Sequence, residues 1–196
     1  MTIQSTKEKI MDIAIVMFSD RGYDSVSMRD IAAGVGIRAS SIYYHFSSKL
    51  DILKSMYAFY ARERSLIFPN IENVLGALET KPIDDVLAMM SYFWPPQLSD
   101  RMDRIVLVAS QRILLDKESE IFLRDNFFDA LIGIWIPLLT RGIELGKFKS
   151  VDINSYAKLL SFFAFCAAEL NRTAIKLSFE QWNGALSMLF SLLKPI

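Results

Sequence analysis

Apolar side chains recur along this chain at helical spacing almost throughout. Ile10, Ile13, Ala14, Met17 and Phe18 fall at i, i+3, i+4, i+7 and i+8, one stripe of an amphipathic helix. Ser5 with Glu8 makes a capping box before the stripe and Gly22 follows it, so the pattern predicts a helix over about residues 6–21. Ser27 with Asp30 opens a second, short helix that carries Ile31 and Ala32 and ends at Gly34-Val35-Gly36. A third short segment, 39–45, follows, and Ser48 with Asp51 caps a longer helix that can run no further than about Pro69. Breakers then separate spans at 71–79, 83–93, 99–115, 118–144, 152–176 and 179–193, with Pro137 expected to kink or split the fourth of these. No segment alternates as a strand does, so the expected fold is all-α.

Composition narrows the class. Of 196 residues 52% are hydrophobic and 22% charged, with 22 basic against 22 acidic side chains and a single Cys, which excludes a disordered chain and a disulfide scaffold. The longest uncharged stretch, Val86 to Ser99, is broken by Pro95-Pro96 and falls short of a membrane span. The first residues carry Lys7, Glu8 and Lys9 and do not read as a secretory signal, so the expected setting is cytoplasmic, with no membrane partner. Cys166 sits in the apolar run 162–168 and reads as an inert core thiol.

Catalysis finds little support. With one His and one Cys, a metal site would need carboxylates in a fortunate arrangement, and no Gly-x-Ser-x-Gly elbow supplies a nucleophile for His45. Residues 34–39 match the spacing of a dinucleotide-binding glycine motif, but a short capped helix precedes them where a buried strand is required. Neither an enzyme, nor a metal, nor a cofactor is expected. The same glycines fit the turn between two short helices, the helix-turn-helix arrangement whose second helix enters a DNA major groove. Ile31, Ala32, Val35 and Ile42 then face Ile13 and Met17, while Arg29, Arg38, Ser40, Ser41, Tyr44 and His45 point outward. Arg forks onto guanine, Ser bonds base edges or phosphate, and Tyr hydroxyls reach phosphates. Residues 1–54 hold seven basic and six acidic side chains, so any electrostatic footprint is local, made by Arg29, Arg38, Lys49 and Lys54.

The run Ile31-Ala32 … Gly36-Ile37 … Ile42-Tyr43-Tyr44-His45-Phe46-Ser47-Ser48-Lys49, preceded by Phe18 … Gly22-Tyr23, closely resembles the DNA-binding domain of TetR-type transcriptional regulators over roughly residues 5–55. The resemblance implies an all-helical protein with a DNA-binding domain at 1–50 and an effector-binding and dimerisation domain at 51–196. It implies a homodimer on a near-palindromic, double-stranded operator, most simply a repressor released by a small-molecule effector. A ligand-dependent activator and a non-DNA-binding interaction protein are the alternatives. Carried over by position, the DNA-facing set is Ser27, Met28, Arg29, Arg38, Ala39, Ser40, Ser41, Tyr43, Tyr44, His45 and Lys49, with Ser27, Tyr43 and Lys49 as phosphate contacts. Three positions depart from the family pattern: Arg38 where a small hydroxyl usually caps the third helix, Ser40 in place of a frequent Gly, and Leu50 in place of a frequent Glu. The first removes a side-chain cap worth about 1 kcal/mol.

Of the 24 aromatic residues, 19 lie after Lys54. Rings with polar tips and a few charges, Tyr60, Tyr92, Trp94, Gln111, Arg112, Trp135, Glu169 and Asn171, are the candidate lining of a pocket for a mainly apolar or aromatic effector. The helix at 152–176 carries two apolar faces. One is expected to meet the chain's own core and the other a second copy, through Leu159, Phe162, Phe163, Cys166, Leu186, Leu189, Phe190 and Leu193. The helix over 48–68, which starts at the DNA-binding module, is the expected lever between the two functions.

Overall fold

In a computed structural model, residues 5–67, 70–91, 99–171 and 178–194 are described. They are all-α, without a strand among them, as the periodicity requires. The helices are α1 (Thr6–Arg21), α2 (Met28–Val35), α3 (Ala39–His45), α4 (Lys49–Ile67), α5 (Ile71–Thr80), α6 (Ile83–Ser91), α7 (Asp100–Arg112), α8 (Lys117–Leu123), α9 (Asp129–Glu144), α10 (Ile153–Asn171) and α11 (Phe179–Ser191). The chain divides into two compact units. Residues 1–66 and 98–123 form the first, and 67–97 with 124–196 the second.

In the first unit α1, α2 and α3 close over Ile10, Ala14, Phe18, Ile31, Ala32 and Ile42, all buried. The expected stripe of α1 is therefore inward, but Ile15 on another face is buried too. The reason is α7, which packs along α1 and contributes its own buried Met102, Ile105, Val106, Val108 and Ala109. Helix α4 packs onto α8 by its tyrosines: the Tyr57 ring stacks on Phe122 at 4.2 Å, Tyr60 meets the same ring edge-on, and the Tyr57 hydroxyl lies 2.8 Å from that of Ser119. Burial pushes the Tyr57 phenol far above its ordinary range, which keeps it a neutral hydrogen-bonding group.

The second unit is built around Leu78, Val86, Trp135, Leu138, Leu139, Leu160, Leu186 and Phe190. Phe163 stacks on Trp182 with ring centroids 5.0 Å apart, and the Tyr156 hydroxyl donates to the carbonyl of Leu189. Two expectations about its helices are corrected here. The span 118–144 is not one helix split at Pro137. It breaks earlier, where Arg124–Phe128 takes one π-helical stretch, and Pro137 lies inside α9 without ending it. Cys166 is exposed rather than a core thiol, because α10 turns Ala157, Leu160, Ala167 and Ala168 to the core and leaves Leu159, Phe162, Cys166 and Leu170 on its outer face.

That partition also revises the residues expected to meet a second copy. Leu186, Phe190 and Leu193 are buried in the chain's own core and offer no surface to a partner, and Phe163 and Leu189 are half-buried against that core. On α11 the outer stripe is instead Gly184 and Met188, continued by the C-cap Leu192, with Met188 68% and Leu192 55% exposed.

Gly142 is closely packed, since a Cβ built on it would lie 2.0 Å from the buried Phe148 ring. Gly142→Ala should cost about 1–3 kcal/mol by overpacking. Gly133→Ala, exposed within α9 with open space around it, should instead gain about 0.5–1 kcal/mol from helix propensity. Urea unfolding of the two variants checks the contrast, and equal midpoints would refute it.

Candidate nucleic-acid interface

The site is assembled from local signals. Ser27 is the N-cap of α2, its hydroxyl accepting from the amide of Asp30 at 3.2 Å while the Asp30 carboxylate takes the Ser27 hydroxyl at 2.6 Å and the Ser27 amide at 2.8 Å. These bonds hold the Asp30 carboxyl below its ordinary value of 3.8. With Asp30 and Ile31 amides also satisfied by Ser27, the amides of Met28 and Arg29 are the first-turn donors that no helical carbonyl reaches. Helix α2 ends at Gly36, whose φ of 79° and ψ of 29° are left-handed and cheap only for glycine. The amides of Ile37 and Gly36 close that turn on the carbonyls of Ala32 and Ala33. Gly34 lets α2 approach α1 closely, since a Cβ there would meet Met17 at 2.7 Å and Ile13 at 2.9 Å.

Helix α3 starts at Arg38 without a side-chain cap, as its departure from a small hydroxyl implies, and frees the guanidinium to solvent. Ile42 is the buried anchor of α3. The remaining positions, Ala39, Ser40, Ser41, Tyr43 and Tyr44, are exposed, with Tyr43 at 56% and Tyr44 at 89%. His45 is half-buried and its ring meets that of Tyr44 edge-on at 5.2 Å. Arg29 is exposed and Met28 half-buried on the neighbouring α2. The two helices joined by the turn at Gly36 therefore expose two arginines, two serines and two tyrosines.

Lys49 behaves differently. Its ammonium donates to the carbonyls of Tyr23 at 2.8 Å and Val26 at 2.9 Å and sits 4.2 Å from the centre of the Tyr23 ring. Burial pulls its pKa below the ordinary lysine value, and Arg112 adds to that while Asp24 opposes it.

The described candidate effector residues are divided between the two units. Tyr92 and Trp94 lie outside the described residues, and Asn171 is described in its backbone only, as the last residue of α10. Tyr60 is buried against Phe122, and Gln111 is on the surface. Arg112 is no pocket cation. Its guanidinium pairs with Asp116 at 2.7 Å and Asp24 at 3.0 Å and lies 4.0 Å from the centre of the Tyr23 ring. In the second unit Glu169 is half-buried on α10, and Trp135 is buried beside Phe190 with an indole N–H that has no hydrogen-bond partner. Sequence reasoning missed the acidic partners on and after α1. Arg101 reaches Asp12 at 2.8 Å and Arg104 reaches Asp20, pairings 89 and 84 residues apart that no local spacing signals.

Residues 10–56 match the family model described as bacterial regulatory proteins, tetR family. The biofilm operon icaADBC HTH-type negative transcriptional regulator IcaR of Staphylococcus aureus is 33% identical over 88 residues, 45% of this chain and 44% of that relative. The match thus spans less than half of the curated relative. Among solved structures, a protein described as a transcriptional regulator from Saccharomonospora viridis, crystallised with choline, superposes with a TM-score of 0.69 at 22% identity, over 94% of this chain and 95% of that one. NalD, the secondary repressor of the MexAB-OprM multidrug efflux pump in Pseudomonas aeruginosa, gives 0.70 at 17% identity over 96% and 95%. At these identities the structural likeness speaks to the fold.

The caps make α1 and α2 acid-sensitive. Asp30 and, through Ser5, Glu8 have folded pKa values below their unfolded ones, so their contribution is present above the unfolded carboxylate pKa and is lost as pH falls through the folded one. The melting temperature followed by circular dichroism should fall as the pH drops below about 4, the unfolded carboxylate range, and Asp30→Asn should shrink that fall. An unchanged acid response in the variant would rule out the Ser27–Asp30 cap as a source.

Proposed function

Because this chain belongs to the TetR family of bacterial transcriptional regulators by its helix-turn-helix domain, we propose that it is a repressor that binds a near-palindromic operator as a homodimer and is released by a small, mainly apolar or aromatic effector. TetR-family regulators are non-enzymatic transcription factors. The observation that carries the reading is the surface of α3, where Ile42 anchors the helix and Arg38, Ser40, Ser41, Tyr43 and Tyr44 stand exposed around it. A short helix so held can enter a major groove, with Arg38 able to fork onto guanine and the tyrosines able to reach backbone oxygens. The hydroxyl proton of Ser27 is committed to Asp30, so a phosphate at the start of α2 is met by the Met28 and Arg29 amides and the positive end of the helix.

Residues 1–50 take the DNA-reading role and 51–196 the effector and dimerisation roles. Dimerisation is supported by the outer faces of α10 and α11, where Leu159, Phe162, Leu170, Met188 and Leu192 leave an apolar surface uncovered. Two copies of this helix pair would form a four-helix interface, and reading successive major grooves requires recognition helices about 34–36 Å apart, one turn of DNA. Repression is favoured by the IcaR relative, itself a negative transcriptional regulator. An effector site in the second unit is supported by the Trp135 indole, a buried donor whose missing partner costs about 1–3 kcal/mol until an acceptor arrives. A ligand that binds better to a state with wider spacing of the recognition helices lowers operator occupancy by its differential affinity.

Selection of bound duplexes from a randomised pool with the purified protein should enrich an inverted repeat. Absence of any enriched repeat from a folded dimer would refute the operator reading. Light scattering should give twice the 22.4 kDa chain mass, and Phe162→Glu, which places a charge on the outer face of α10, should return it to the monomer value. A dimer indifferent to that charge would move the interface elsewhere.

A further inference from the structure

We propose that Lys49 and Arg112 are positioning residues that clamp the loop between α1 and α2, setting the N-terminus of α2 for the DNA backbone, instead of serving as a phosphate contact and an effector contact. The inference rests on the operator reading above and deepens it.

The peptide unit between Val26 and Ser27 is pinned at both ends. Its carbonyl accepts from the Lys49 ammonium at 2.9 Å and its N–H donates to the Asp30 carboxylate at 2.8 Å. That unit is the hinge by which the chain enters α2, so fixing its plane fixes where the free amides of Met28 and Arg29 point. Lys49 holds the other end of the loop as well, through the carbonyl of Tyr23. An ammonium has three N–H groups. Two are spent on carbonyls beneath the loop, and the same charge is 4.2 Å from the Tyr23 ring centre, so little of it is left for a phosphate.

Arg112 holds the loop from α7. Its guanidinium lies over the ring that Lys49 also faces and pairs with Asp24, the next residue of the loop. The guanidinium is itself fixed, with a side chain only 12% exposed and an ion pair to Asp116, whose other oxygen accepts the amide of Ser119. Ser119 in turn meets the Tyr57 hydroxyl of α4. Loop, α4, α7 and α8 are thus joined through one aromatic ring and two cations, all within the first unit. A cation over an aromatic face that is largely removed from water is a directional contact, and Arg provides it together with a forked ion pair in a way Lys cannot. Any shift of the end of α7 would reach α2 through Tyr23 and Asp24.

Salt dependence separates positioning from contact, because each phosphate contact adds about 0.9 to the slope of log affinity against log salt. On the selected operator, Lys49→Met and Arg112→Gln should each weaken binding about tenfold or more while leaving the slope at the wild-type value. Arg29→Gln, an exposed cation beside the α2 amides, should lower the slope. In a Tyr23→Leu background, Arg112→Gln should add nothing. A slope reduced by about one in Lys49→Met would make Lys49 a phosphate contact, and Arg112→Gln within twofold of wild type would remove Arg112 from the clamp. Amide hydrogen exchange of the DNA-free protein gives a readout independent of the operator: Arg112→Gln should speed exchange about tenfold at Ser27–Ile31 and leave α3 unchanged. Uniform acceleration across the unit would reduce Arg112 to general stability and overturn the proposal. A wild-type protein that selects no DNA but shows the local exchange effect would sink the operator reading and leave the clamp standing as loop geometry.

Discussion

Along α7, Arg101, Arg104 and Arg112 reach Asp12, Asp20 and Asp24, so that α1 and the loop after it are held at three places by one helix. Partly exposed ion pairs of this kind are worth about 0–1 kcal/mol each, so they are not what keeps α1 folded. Burial of Ile10, Ala14, Ile15 and Phe18 does that. The arginines tie α1 and the loop after it to defined positions along α7. The elements proposed to face DNA follow from that packing, since α2 packs on α1 through the space left by Gly34, and α3 follows α2 after a three-residue turn, 36–38, that begins at Gly36.

The surface proposed for DNA contact is weakly charged by the standard of nucleic-acid-binding domains. It relies on a few cations, exposed hydroxyls and the amides at a helix start, which makes orientation matter more than bulk attraction. The capping box explains how orientation is maintained at low cost. Ser27 and Asp30 satisfy each other, hold the first turn rigid and leave two amides directed outward. Arg38 pushes in the opposite direction: α3 gives up a side-chain cap and gains a long cation at the start of the recognition surface.

In the second unit the same logic of divided faces governs α10. Its inner face is made of small and branched residues, Ala157, Leu160, Ala167 and Ala168, which let it lie close to the core, while its outer face keeps Leu159, Phe162 and Leu170. Leaving three large apolar groups on one helix face costs apolar contact with water, a cost that the proposed dimer would remove for both chains. Cys166 shares the face and is therefore accessible in the single chain.

Elements whose causes are local were legible in the amino-acid sequence: the capping boxes at Ser5 and Ser27, the end of α2 at Gly36, the uncapped start at Arg38 and the apolar stripe of α1. Each depends on residues within four positions of one another, and hydrogen-bond geometry at that range leaves few alternatives. Tertiary packing decided the rest. Periodicity marked two apolar faces on α10 but could not say which one the chain itself would cover, so Cys166 was read as a core thiol as well as an interface residue, and Leu186 and Phe190 of α11 with Leu193 just after it were expected at the interface. Pro137 was read as a break because a missing N–H weakens any isolated helix, yet α9 continues through it in the second unit and the irregular turn falls at Arg124–Phe128 instead. Lys49 was assigned to a phosphate by position in the family pattern, and Arg112 to a pocket as a charge among aromatic helices. Their partners, Tyr23, Asp24 and Val26, lie 23 or more residues away, and only the crossing of α4 and α7 over the loop after α1 brings those charges to a ring and two carbonyls that consume them.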